Sequence, residues 1–126
     1  DPLLPHPDPG GRVLRILSYN VWFNEDLALA ARIHAISAII ASADPDVIAL
    51  QEVTPRILHH HLAPAPFFAH YHNATPTRLA PYFTLLLVHR RVKTSGSPIT
   101  QPFPGSRMGR DLSAVVLELG GGGDPA

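Results

Sequence analysis

The chain switches several times between short apolar runs and a helical repeat. Val13-Leu14-Arg15-Ile16-Leu17-Ser18-Tyr19 is mostly apolar or β-branched and gives way to polar Asn20, the pattern of a strand feeding a loop. Leu29, Ile33, Ile36 and Ile40 then recur at spacings of 4, 3 and 4, which predicts a helix to about Ser42 with one apolar stripe turned toward a sheet. Arg32 and Ser37 fall off that stripe. Asn24 or Asp26 is the expected cap, and Pro45 the stop. Val47 to Leu50 is apolar at every position, as suits a central strand covered on both faces, and it closes on Gln51-Glu52. Thr54-Pro55 predicts a short helix over Arg56 to Leu62, ended by Pro64 and Pro66. Tyr82 to Val88 and Leu112 to Leu119 read as further strands. The segment between them, with Gly96, Pro98, Pro102, Pro104 and Gly105, reads as a partly extended edge or loop.

Strand, helix and strand in close succession predict a right-handed crossover with the two strands parallel and adjacent, hence an α/β fold. Asn20 and Glu52 then emerge at the same sheet edge. At 126 residues and 45% hydrophobic content, one modest core is possible and two full domains are not. Residues 1–12 are expected to be an irregular Pro/Gly-rich leader, 13–119 to hold the structured domain, and 120–126 to be a flexible glycine tail. The chain starts at Asp1 and ends in that glycine tract, so both ends are expected to be fragmentary.

Ten basic and ten acidic side chains cancel, so a polyanion must be met locally instead of by a broad basic surface. The absence of cysteine excludes disulfides and thiolate zinc sites and is compatible with an intracellular setting. No apolar stretch approaches the roughly 18 residues of a membrane span, and the opening residues lack the basic and apolar regions of a signal peptide.

An ionised Glu52 at the end of a buried strand needs a cation or hydrogen-bond donors. Mg²⁺, which takes one or two carboxylates and fills its other positions with water and phosphate oxygens, is one partner; a nearby arginine is the other. Asn20 is either a donor to a phosphate oxygen and a holder of water, or a turn residue bonded to its own backbone. Three adjacent histidines, His59, His60 and His61, would point about 100° apart on a helix and cannot converge on one ion, so a solvated helix end is expected. Arg110, just before the last strand, either meets phosphate or pairs with Asp111. No glycine-rich phosphate loop and no serine-nucleophile motif is present.

Ile16-Leu17-Ser18-Tyr19-Asn20-Val21, the Ala/Ile-rich helix and Pro45-Asp46-Val47-Ile48-Ala49-Leu50-Gln51-Glu52-Val53 together resemble the opening of the endonuclease/exonuclease/phosphatase superfamily. Tyr82-Phe83-Thr84, Pro102-Phe103-Pro104 and Met108-Gly109-Arg110-Asp111-Leu112 are similar to its tyrosyl-DNA phosphodiesterase 2 branch. The resemblance implies a DNase I-like α/β sandwich of two packed sheets with outer helices, of which Val13 to Leu119 would form the N-terminal half. It implies Mg²⁺, or Mn²⁺, held by Glu52, with Asn20 on the scissile phosphate and the attacking water. It further implies hydrolysis of 5′-phosphotyrosyl DNA ends in nuclear repair. The superfamily's later motifs, Gly-Asp-x-Asn and Ser-Asp-His among them, have no counterpart here, so this chain alone is expected to be inactive, and whether it is itself an enzyme stays open. Another branch (abasic-site endonuclease, deadenylase or phosphoinositide phosphatase) and a non-catalytic binding protein are the alternatives. Half a sandwich should also expose an apolar sheet face that the missing half or a partner would cover.

Overall fold

The computed structural model describes residues 13–75, 80–108 and 111–118. The expected leader 1–12, the tail 120–126 and Arg110 lie outside the described residues. Strand β1 (Ile16–Asn20) leads through helix α1 (Leu29–Ala43) to β2 (Val47–Val53). A π-helical segment (Ile57–Leu62) and a 3-10 helix (Pro66–His70) precede β3 (Tyr71–Asn73) and β4 (Phe83–His89), and β5 (Lys93–Pro102) and β6 (Asp111–Glu118) follow. The first sheet has the order β1-β2-β4-β3, with β1 parallel to β2 and both β2 and β3 antiparallel to β4. β5 and β6 pair antiparallel in a second sheet.

The stripe Leu29, Ile33, Ile36 and Ile40 is buried as its spacing predicts, against Ile48 and Leu50 of β2 and Leu85 and Leu87 of β4. Each such side chain contributes roughly 1.5–3 kcal/mol when fully buried. The opposite face of β4 meets the second sheet, where Val88 and Leu86 pack with Val115 and Leu117 of β6. The sheets remain open elsewhere: Ile16 is 63% exposed and Val116 64%.

Several sequence expectations shift. Neither Asn24 nor Asp26 caps α1; Ala28 holds the cap position in the left-handed region without a side-chain hydrogen bond, and Asn24 Oδ1 instead accepts from the Asp26 amide. The first strand begins at Ile16, not Val13, and β4 begins at Phe83, not Tyr82. The helix after Thr54 forms, with Thr54 Oγ1 accepting from the Ile57 amide, but winds as a π-helix in which the Ala63 amide reaches Leu58 O. In the Gly/Pro-containing segment expected to be a partly extended edge or loop, Lys93–Pro102 forms the ten-residue edge strand β5, and Pro104 and Gly105 lie beyond it. Its register slips between Ser95 and Ile99, so Gly96 (φ 73°) and Pro98 sit in the irregular stretch where a missing amide or a positive φ is tolerated. β3 was not expected; three residues carry too little pattern.

At the end of the first sheet where β2 begins, a buried carboxylate fixes the register. Asp46 is 3% exposed, and its Oδ2 accepts from the Arg15 amide at 2.8 Å while Oδ1 accepts from Arg91 Nε at 2.7 Å. Its own amide donates to Arg15 O, and its carbonyl accepts from the His89 amide, both at 2.8 Å. Arg15 Nη1 also donates to Ala43 O at the C-terminus of α1, and Tyr71 Oη donates to Pro45 O. Burial pushes the Tyr71 phenol well above its ordinary pKa, so it remains a donor.

Two outcomes follow from this end of the sheet. Arg91→Met removes the guanidinium partner of a buried carboxylate and should destabilise the protein near the lower end of the roughly 3–5 kcal/mol seen for broken buried pairs, read by denaturant unfolding. His89 is held below its ordinary value of 6.5, first by burial and then by the Arg91 charge, with His70 adding to the effect and Asp44 and Asp46 opposing it. Its Nδ1 accepts from the Arg91 amide at 3.1 Å, which requires the neutral ring. The unfolded chain therefore binds this proton more readily, so the contribution is complete above about pH 6.5 and is lost as pH falls below it. Thermal unfolding from pH 7.5 to 5 should show a smaller acid-induced loss for His89→Gln than for the wild type.

Candidate functional site

The strand ends opposite the Asp46 clamp carry the candidate chemistry. Parallel pairing places Asn20 of β1 against Gln51 of β2, and the Val21 amide continues the ladder to Gln51 O at 3.0 Å. One residue later the pairing of β2 with β4 slips: Leu50 faces Leu85 and Val53 faces Phe83, so β2 carries an extra residue across this interval. Glu52 lies in that bulge with φ 59°, a left-handed conformation that costs a non-glycine residue about 1–2 kcal/mol. The bulge swings the carboxylate toward β1, where Asn20 Nδ2 donates to Glu52 Oε2 at 2.9 Å.

The loop after β1 completes the arrangement. Asn20 Oδ1 accepts from the Trp22 amide at 2.9 Å, and Glu52 Oε1 accepts from the Phe23 amide at 3.4 Å. Trp22 is itself left-handed at φ 65°. Arg32 of α1 spans the loop with four hydrogen bonds: Nη1 to Asn24 O and Leu27 O at 2.7 and 2.9 Å, and Nη2 to Val21 O and Trp22 O, both at 2.6 Å. Its guanidinium also lies 5.0 Å from the centre of the Trp22 ring. Phe23 packs on Tyr82 at 4.9 Å, and Tyr82 Oη donates to Met108 O, which joins the site's loop to the segment before β6.

The structure thus brings Asn20 and Glu52 into contact across a sequence separation of 32. Asn20 is a turn former, its Oδ1 accepting from the Trp22 amide, while its Nδ2 donates to Glu52. Glu52 accepts from the Asn20 side chain and from the backbone of the loop after β1. Gln51 is turned away along the sheet, donating to Ser18 Oγ at 3.0 Å and Ala49 O at 3.2 Å. His59 and His60 are exposed and His61 half-buried, and among the described residues no cluster of three or more His, Cys, Asp or Glu could hold a metal. A cavity of about 440 Å³ between α1 and the helical segments, lined by Ile33, His34, His60, His61 and Phe67 among others, includes neither Asn20 nor Glu52.

The donor chemistry fits a hard cation. A single carboxylate, faced by the Asn20 Nδ2 donor while Asn20 Oδ1 is held by the Trp22 amide, matches the small protein share of a Mg²⁺ site, whose remaining positions go to water and substrate phosphate. It does not match zinc, which takes three or four protein ligands of the imidazole, thiolate or carboxylate kind.

Sequence reasoning missed Arg32. A usable signal was there: a cation in the first turn of a helix opposes the macrodipole, so its presence calls for carbonyl partners nearby. The roles of Asp46 and Arg91 were missed for a different reason, since their contact joins residues 45 apart.

Residues 17–124 match the Endonuclease/Exonuclease/phosphatase family. Tyrosyl-DNA phosphodiesterase 2 of Rattus norvegicus is 31% identical over 109 residues, which cover 86% of this chain and 28% of that protein. The crystal structure of TDP2 from C. elegans matches with a TM-score of 0.73 at 26% identity, over 86% of this chain and 32% of the other. That of D. rerio TDP2 complexed with a single strand DNA product matches at 0.71 and 27% identity, over 86% and 42%. This chain therefore spans less than a third of the length of the rat relative. These likenesses bear out the expected architecture, a mixed α/β arrangement resembling the DNase I-like fold with its sheets left open. With its strand-end Asn20 and Glu52, the chain belongs to the endonuclease/exonuclease/phosphatase family, in the branch that resembles tyrosyl-DNA phosphodiesterase 2.

Proposed function

We propose that this chain supplies the Asn20–Glu52 part of a Mg²⁺-dependent phosphodiesterase site that acts on 5′-phosphotyrosyl DNA ends. The observation that carries the reading is the 2.9 Å hydrogen bond from Asn20 Nδ2 to Glu52 Oε2 at the adjoining ends of parallel strands. Descent from a common family with tyrosyl-DNA phosphodiesterases supports DNA as the substrate class and nuclear repair as the setting.

Glu52 would hold the ion, with Asn20 beside it. When bound, Mg²⁺ polarises a phosphoryl oxygen and neutralises charge that develops as the tyrosyl oxygen leaves. The chain's own contribution is orientation. The bulge at Glu52 aims its carboxylate, the Asn20 side-chain amide and the Phe23 backbone amide hold its two oxygens, and the Asn20 side chain would meet a phosphate oxygen or position a water. Proton transfer to the leaving oxygen and activation of the water need further groups. Among the described residues no His/Cys/Asp/Glu cluster accompanies the pair. Those groups are proposed to come from parts of the protein beyond this chain or from a partner that completes the open sheets.

A 5′-phosphotyrosyl single-stranded oligonucleotide titrated into the protein, followed by fluorescence anisotropy, tests the reading. Binding should tighten on adding Mg²⁺, and Glu52→Gln should abolish that gain. Asn20→Ala should raise the Mg²⁺ concentration needed by about 10–100-fold, the usual effect of removing a group that orients a metal ligand. A Mg²⁺ gain that survives Glu52→Gln, or tyrosine release that does not depend on Glu52, would overturn it.

A further inference from the structure

We propose that Arg32 is the positioning residue of this site: from helix α1 it grips the loop after β1 and thereby sets both Asn20 and Glu52. The geometry is a relay. The guanidinium binds the carbonyls of Val21 and Trp22 with Nη2 and those of Asn24 and Leu27 with Nη1. The segment so held presents two amides to the site, Trp22 N–H to Asn20 Oδ1 and Phe23 N–H to Glu52 Oε1. Asn20 then passes its own Nδ2–H to Glu52 Oε2. Each oxygen of the Glu52 carboxylate is thus met by a donor whose place depends on a segment that Arg32 fixes.

Two features show that the loop would not keep this shape unaided. Trp22 and Ala28 both stand in the left-handed region with φ 65° and 48°, which an unconstrained chain of L-residues leaves. Trp22 is 42% exposed, so burial does little to hold it; the cation over its ring and the carbonyl bonds beside it do. Only a planar fork with several fixed N–H groups can satisfy four carbonyls from one side chain, a task for which lysine has the charge but not the shape. An arginine at a helix start, where the macrodipole disfavours it, is explained by the same bonds.

Trp22 is the single tryptophan of the chain, so its fluorescence reads this loop alone. Arg32→Lys is compared with Ile36→Ala, which loosens the buried face of the same helix and removes none of the Arg32 hydrogen bonds that hold the loop. Arg32→Lys should shift Trp22 emission to the red and increase quenching by acrylamide. It should also raise the Mg²⁺ concentration at half-saturation of the fluorescence change by about tenfold. Ile36→Ala should lower the unfolding midpoint and leave all three readings at the wild-type values. Emission and quenching unchanged in Arg32→Lys, or moved as far by Ile36→Ala, would overturn the proposal. The metal arm rests on Glu52 binding Mg²⁺. A wild-type protein silent to Mg²⁺ defeats that assignment, while the ion-free emission and quenching still decide the role of Arg32. Should Arg32→Lys fail to fold, the wild-type guanidinium is read directly by NMR: separate Nη signals from slow rotation support the grip, and one averaged signal overturns it.

Discussion

The buried carboxylate of Asp46 ties together the ends of three strands that share no local sequence. Its oxygens take the Arg15 amide before β1 and the Arg91 side chain after β4, while its backbone pairs with Arg15 and His89. Because side chains alternate along a strand, a slip of one residue between β1 and β2 would turn Asn20 and the apolar positions of β1 to the opposite face. The clamp therefore fixes, at one end of the sheet, which residues meet at the other. Arg15 and Tyr71 extend it to the end of α1 and to Pro45, so the crossover helix is anchored where it must reverse into β2. Asp44 makes that reversal in the left-handed region, with its amide on Ile40 O.

Order at the clamp is matched by strain at the site. Glu52 and Trp22 both hold left-handed conformations, and Glu52 does so inside a register slip. Such outliers persist only where their surroundings over-determine them, and here the determinants are visible. They are the antiparallel grip of β4 on either side of the bulge and the hydrogen bonds that Arg32 lays across the loop. Strand ends, bulge and loop converge on a carboxylate held in one orientation by a donor to each of its oxygens.

The open sheets place a limit on what this part of the fold does alone. Ile16 and Tyr19 of β1 and Leu112 and Val116 of β6 stand exposed, while Leu17 of β1 and Val115 and Leu117 of β6 pack half-buried against the core. Exposed apolar strand faces of this kind mark surfaces suited to another layer of protein. The family relatives, of which this chain covers a minor share, are correspondingly longer.

Much was legible in the sequence because it rests on local period and chemistry. The stripe of α1, the doubly apolar β2, the parallel return and the convergence of Asn20 with Glu52 all follow from spacings within the first half of the chain. The rest was not, and for identifiable reasons. Gly96 and Pro98 disguised β5 because their effect on a strand depends on whether a register slip accommodates them, which only the β6 partner decides. The cap expected of Asn24 or Asp26 was lost to a loop whose shape is set by Arg32, a residue read as merely off the stripe. The sequence by itself determined β1, α1, β2, β4 and β6, their order and the residues that end β1 and β2, since propensity and periodicity act over a few neighbours. The tertiary structure alone decided the bulge that aims Glu52, the Asp46–Arg91 clamp and the grip of Arg32, because each is a contact between groups far apart in the chain or turned by a backbone conformation that no local preference selects.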